Sequence, residues 1–306
     1  MFTPQDWPIC ASMLTLGSTT ADGTPNNEAP AAAWAKNLRM VKALGIDAID
    51  PTDAWIDLSA LSENRLDEFG QVLADEGIGF ASLSMSRRSI IDAERGDEYF
   101  ALARKNVEIA ARFGVPILNI GFFQALTPEQ LRAPWFWLAP GHTNDPARRD
   151  LAIERVRVLG DACATHGIQL SLEMYEDTFI GTADDAVSFI TDVDHRAVGL
   201  NPDIGNFQRL HQPVEHWESA FDKVLPYTNF FHVKNYTRDF DPATGAYFTA
   251  PAPMKNGIIN YRTVLRKALE LGYSAPIHCE HYGNDAIAVI ADNIRYTREI
   301  LVSLDA

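Results

Sequence analysis

The chain has 306 residues, with 26 basic and 41 acidic side chains, a formal net charge of -15 and 46% hydrophobic residues. That acidic surplus repels a phosphate backbone and excludes nucleic acid as a main partner, and no apolar run reaches the ~20 residues that span a bilayer. The opening residues, MFTPQDWPIC, lack the basic region and apolar core of a secretory signal, so the expected compartment is the cytoplasm.

In chain order, short apolar runs alternate with longer amphipathic stretches. The runs predict strands at Ile9–Leu16, Ala48–Asp50, Gly79–Leu83, Pro116–Gly121, Gln169–Met174, Val198–Asp203, Asn229–Val233 and Pro276–Glu280. Apolar residues at helical spacing predict helices at Pro30–Leu44, Asp97–Phe113, Pro146–His166, Thr182–Val193, Pro213–Leu225, Tyr261–Leu271 and Asp285–Leu304. Gly45, Gly77, Gly114, Gly167 and Gly272 stand just before the next strand, where a left-handed residue ends a helix. Helix, glycine and short strand recur at roughly 30-residue spacing, the period of a βα unit. Eight such units predict one domain over residues 1–306, a closed (β/α)₈ TIM barrel. An open doubly wound sheet would want a glycine-rich phosphate loop after its first strand, and none is present. Two connections exceed what a barrel needs, 122–145 after strand four and 235–260 after strand seven. Such loops sit at the C-terminal mouth, where barrel enzymes keep their chemistry. Cys10, Cys163 and Cys279 are scattered and suit buried, reduced thiols.

The last four strands each finish on a polar side chain: Glu173, Asp203, His232 and Glu280. On neighbouring strands these groups converge on one mouth. Two glutamates, an aspartate and an imidazole suit a divalent ion; the oxygen-rich set favours Mn²⁺, with Mg²⁺, Co²⁺ and Zn²⁺ as further candidates. Without a cation, three converging carboxylates repel one another and their pKa values rise. Strand alternation turns Lys234 into the mouth beside His232 to meet substrate, and sets Asn201 and His278 deeper inside. Arg87 and Arg88 follow strand three, within reach of an anionic or hydroxylated substrate.

From about Ala147 to Leu301 the chain resembles the xylose-isomerase-like barrel superfamily of sugar phosphate isomerases and epimerases. The resemblance rests on Glu173 after its "SL" run, Asp203-Ile204-Gly205, His232-Val233-Lys234, the segment Asn256–Tyr261 reading NGIINY, and Glu280 closing IHCE. It implies a metal held by Glu173, Asp203, His232 and Glu280, with the two glutamates moving protons on opposite faces of a keto sugar. Arg238 matches a substrate-binding arginine of ketohexose epimerases. Asn206 departs from them, standing where many carry a substrate-binding histidine. The loop after strand four holds Trp135, Phe136, Trp137 and His142, an expected aromatic wall with His142 as an acid/base. In this the chain resembles the catalytic subunits of bacterial C-glycoside deglycosidases, lyases that cleave 3-oxo-C-glycosides of phenolic aglycones and work with a small β-rich partner subunit. The implied partners are a small-molecule sugar or glycoside and further subunits. Ketose epimerisation or isomerisation shares the first step, enolisation beside the carbonyl, and a non-catalytic sugar-binding barrel is the third reading.

Overall fold

The computed structural model describes residues 2–304. Eight parallel strands close a (β/α)₈ barrel: Ile9–Ser12, Ala48–Asp50, a third strand split into Gly79–Phe80 and Leu83–Ser84, then Ile117–Ile120, Gln169–Glu173, Val198–Asn201, Phe231–Val233 and Ile277–Cys279. The first piece of the split strand pairs with strand two and the second piece with strand four, so it joins a five-stranded sheet to a four-stranded one. A parallel bridge from Leu200 to Thr228 closes the ring between strands six and seven.

Each predicted strand contains an observed one, with some ends redrawn. Strand one stops at Ser12, and Met13–Leu16 form a 3₁₀ turn. The helix predicted at Pro213–Leu225 begins only at Trp217, because Gln208 Nε2 donates to Glu215 O and the His216 ring caps the Glu218 N–H. A further helix, Glu63–Glu76, lay outside the predicted set. Its signals were present: Ser62 caps it, Leu66, Phe69, Val72 and Leu73 line its buried face, and Gly77 ends it. The five glycines expected to end helices all have positive φ. The region 235–260 is an antiparallel hairpin, Asn235–Asp241 with Ala246–Ala252, followed by a 3₁₀ turn. The region 122–145 carries a short helix, Pro128–Arg132, opened by a reciprocal cap between Thr127 and Gln130.

The apolar core fills the layer between helices and strands. Trp34 meets Phe69 edge-on at 5.8 Å, joining helix Ala31–Ala43 to helix Glu63–Glu76; burying each such ring is worth ~1.5–3 kcal/mol. The three cysteines are buried and free, and burial pushes Cys163 and Cys279 up to about 12. No described helix is long and apolar enough to cross a membrane.

The barrel interior is polar at its upper end. Asp50 accepts from the Thr52 and Ser84 N–H groups at 3.0 and 3.1 Å and from the Ser82 and Ser84 hydroxyls at 2.6 and 2.7 Å. It thereby holds the split third strand to the second. Burial raises the Asp50 pKa, but these bonds and nearby His278 outweigh it and leave the net shift downward. A carboxylate with a depressed pKa stabilises the fold above its unfolded value, here 3.8, and that stabilisation is lost as pH falls through the folded value. Asp50→Asn is therefore expected to cost roughly 1.5–3 kcal/mol at pH 7, with the gap to wild type closing below pH 3.8. Urea unfolding of both proteins at pH 7 and in strong acid measures this; a pH-independent gap contradicts it.

Candidate metal centre

Glu173 is the last residue of strand five, His232 the middle of strand seven, and Asp203 and Glu280 lie just past strands six and eight. The four side chains are buried. His232 Nδ1 faces Glu173 Oε2 at 3.6 Å, Asp203 Oδ2 at 3.7 Å and Glu280 Oε2 at 3.9 Å. Ligand atoms of Glu173, Asp203 and His232 all lie within 4.8 Å of one another. Asp203 Oδ1 and both ring nitrogens of His232 are buried without a hydrogen-bond partner. Leaving such atoms unpaired is costly, and a divalent ion would engage them. Charge agrees: the three carboxylates are balanced by one divalent ion and the Lys234 ammonium, which lies 2.7 Å from both Asp203 Oδ2 and Glu280 Oε2. The residues present fit a divalent metal.

The surroundings fix these ligands. Asn119 Nδ2 donates to Glu173 Oε2 at 3.1 Å and to the Ser84 hydroxyl at 3.2 Å. Asn201 Nδ2 donates to Asn119 Oδ1, while Asn201 Oδ1 accepts the His232 N–H at 2.8 Å. The web thus runs from Asp50 to the metal ligands. In the Asp203-Ile204-Gly205 turn, a Cβ on Gly205 would meet Lys234 Cγ at 2.7 Å, so only glycine lets the lysine stem pass. Tyr261, the end of NGIINY, clamps Lys234 by donating to its carbonyl at 2.7 Å and accepting its N–H at 3.1 Å. Burial and the neighbouring carboxylates raise the Glu173 pKa against the pull of His232. Burial also acts on Glu280, but Lys234 and His232 overcome it and hold that carboxyl down at about 2.

Glu173, Glu280, His232 and His278 open onto a cavity of about 240 Å³ that is also lined by Arg87, Phe123, Phe136, Tyr175 and Tyr282. The other sequence-predicted residues fall elsewhere. Lys234 does turn inward, but it is ion-paired to two metal ligands instead of lining the cavity. Asn206 is buried beside Glu173, its Nδ2 donating to Met174 O at 3.0 Å and more weakly to Glu173 Oε1 at 3.4 Å, so it positions the glutamate. Arg238 donates to the carbonyls of Gln208, Leu210 and Gln212; it ties the hairpin to the strand-six loop and leaves the cavity wall to others. Trp135 stacks on Trp137 at 4.9 Å, and Trp137 meets Tyr236 and Tyr282 edge-on. Phe136, between them in sequence, supplies the face that lines the cavity. His142 is exposed, on a segment tied to Asp177 through the Gly141 and Asn144 N–H groups, and is absent from the cavity wall.

Residues 38–300 match the xylose isomerase-like TIM barrel family. The chain belongs to that family. A xylose isomerase-like TIM barrel protein of Mycobacterium smegmatis, solved in complex with magnesium, is 58% identical over the whole of both chains, with a TM-score of 0.98. D-allulose 3-epimerase from a Methylomonas species superposes with a TM-score of 0.67 at 14% identity, covering 96% of this chain and 98% of that one. The 3-keto-D-glucoside 4-epimerase of E. coli gives 0.64 at 16%, covering 96% and 100%. At those identities the likeness is one of fold. Among curated proteins, 3-dehydroshikimate dehydratase of Bacillus anthracis is 25% identical over 149 residues, or 44% of this chain. The match spans about half, 49%, of that enzyme's length.

In this xylose isomerase-like barrel, Glu173, Asp203 and His232 form a divalent metal site. Of its supports, Asn201 was expected beneath the ligands, and Asn119 and Asp50 were not named. Asn119 was the lone polar residue inside the apolar run Ile117–Ile120, and Asp50 ended strand two; both were readable signals. Arg209 had no such signal. Fully buried, it donates through Nη2 to both oxygens of Glu176 and lies under the rings of Phe136, Trp137 and Tyr175 at 4.8, 5.1 and 5.0 Å. Removing a group that orients a metal ligand typically lowers affinity about 10–100-fold. Calorimetric titration with Mg²⁺ is expected to show that loss for Asn119→Ala, a larger one for Asp203→Ala, and none for His142→Ala. Loss of affinity in His142→Ala would put that imidazole at the ion.

Proposed function

We propose that this barrel is a divalent-metal-dependent enzyme that enolises a carbonyl sugar, and that its substrate is a 3-oxo-C-glycoside whose phenolic aglycone is split from the sugar. The observation that carries the enolisation is the pair Glu173 and Glu280, which face His232 Nδ1 at 3.6 and 3.9 Å and both stand on the wall of one cavity. Glu280 joins Glu173, Asp203 and His232 in holding the ion, for which the oxygen-rich donor set favours Mn²⁺. When bound, the ion polarises the sugar carbonyl and its neighbouring hydroxyl.

The chain's own residues do the rest. One glutamate takes the proton from the carbon beside the carbonyl. Asn119 and Asn206 hold Glu173 for this step, and Lys234 holds Glu280. Phe123, Phe136, Tyr175 and Tyr282 wall the cavity; these faces support an aromatic aglycone at the rim. In the lyase outcome the bond between the sugar and the aryl carbon breaks, its electron pair stays on the aryl carbon, and a proton is delivered there. The sugar is left with a new double bond conjugated to its carbonyl. The same reading includes a small β-rich second subunit; the exposed Phe240 and Phe248 of the hairpin support a partner surface.

One observation favours a second reading, ketose 3-epimerisation. The cavity of about 240 Å³ suits a single sugar ring and falls below the ~300–1,000 Å³ of sites for larger ligands. Incubating Mn²⁺-loaded protein in D₂O with free ketohexoses and with a 3-oxo-C-glucosyl flavonoid separates the outcomes. Release of aglycone, with deuterium on the aryl carbon that bore the sugar, is the expected result. Epimerised ketose carrying deuterium beside the carbonyl, without aglycone, assigns the epimerase, and neither aglycone release nor exchange into any carbonyl sugar leaves a binding barrel. Glu173→Gln or Glu280→Gln is expected to slow the reaction by about 10²–10⁴-fold; full activity in either contradicts the role given to it.

A further inference from the structure

Arg87 and Arg88 are adjacent in sequence but have different fates. Arg88 pairs with Asp53 at 3.2 Å and Asp57 at 2.7 Å. Among the described residues, no carboxylate oxygen lies within 4.0 Å of the Arg87 guanidinium. It lines the metal-centre cavity instead. Its Nη2 donates to the Tyr175 hydroxyl at 2.9 Å and its Nη1 to Gln124 O at 3.3 Å, which leaves donors of the five-donor fork free. The guanidinium lies 4.7 Å over the Phe136 ring and 5.7 Å over Tyr175. The residue adopts φ +54, a left-handed conformation that side-chain-bearing residues avoid unless their surroundings impose it. In a chain with 41 acidic against 26 basic residues, a cation without a carboxylate, on a wall that carries two glutamates, is conspicuous. The charge of the metal ligands does not claim it, because Lys234 already pairs with Asp203 and Glu280.

We infer that Arg87 is the subsite for an anionic oxygen of the substrate, on the wall of the cavity that Glu173 and Glu280 also line. The flanking rings of Phe136 and Tyr175 cover the planar guanidinium and leave it partly dehydrated, which strengthens its hold on an oxyanion. Two substrate groups present that chemistry: the carboxylate of an acidic sugar and the phenolate of an aromatic substituent. The inference rests on the reading of this cavity as the substrate site, whichever product forms there.

Calorimetric titration of Mg²⁺-loaded protein with D-glucuronate, 4-nitrophenolate and D-glucose tests it. At least one anion is expected to bind ten times more tightly than glucose, and the anion that does so identifies the substrate group. Arg87→Gln is expected to lose that preference with its Mg²⁺ affinity unchanged. No preference in wild type, or a preference that survives in Arg87→Gln, overturns the assignment and gives any anion to the metal. A second measurement needs no variant. Phenylglyoxal labelling of Arg87 in the wild-type protein, mapped by peptide mass spectrometry, is expected to slow at least threefold with the preferred anion and not with glucose. Equal labelling overturns the subsite. Anion preference without aglycone release or deuterium exchange into any carbonyl sugar would sink the enolisation and leave Arg87 standing.

Discussion

Three carboxylates and an imidazole share one buried corner of the barrel mouth, and much of the upper barrel is arranged around holding them there. Two like charges 4 Å apart repel by about 4 kcal/mol at an effective dielectric constant of 20, so Glu173, Asp203 and Glu280 need positive charge among them. One ammonium is built in as Lys234, 2.7 Å from two of the three. A divalent ion completes the neutralisation. The neighbouring features serve this balance: Gly205 makes room for the lysine stem, Tyr261 fixes the lysine backbone, and Asn119 and Asn201 hold Glu173 and His232 in register. The web continues down to Asp50, which also secures the split strand that joins the two halves of the sheet.

The ligands were legible because strands are periodic. A polar residue ending an apolar run, repeated on consecutive parallel strands, can only be brought to one rim, and side-chain alternation turned Lys234 inward with His232. Loops carry no such period. His142 and Arg238 were placed by analogy, and the structure ties both segments down through backbone contacts, Gly141 and Asn144 to Asp177 and Arg238 to three carbonyls. Trp135 and Trp137 were expected as the aromatic wall, but they stack on each other and Phe136 supplies the face that lines the cavity. Arg209 was invisible for a similar reason: its partner Glu176 and the rings around it come from separate loops.

The strand ends of this barrel hold the metal ligands, and the loops above them carry what distinguishes one reaction from another. The cavity wall here joins aromatic faces to Arg87, a cation without a carboxylate partner among the described residues. Phe136 lies on the long connection 122–145 and Arg87 on the connection after strand three, places where side chains vary without disturbing the strands.

The central claim is that the converging strand ends hold a divalent ion. Diffraction from crystals of the Mn²⁺-loaded protein, collected for the anomalous signal of manganese, tests it most directly. The account predicts one strong peak bonded to Glu173, Asp203 and His232 Nδ1, with Glu280 completing the set. A peak elsewhere, or Lys234 still bridging Asp203 and Glu280 with no peak between the strands, would contradict it.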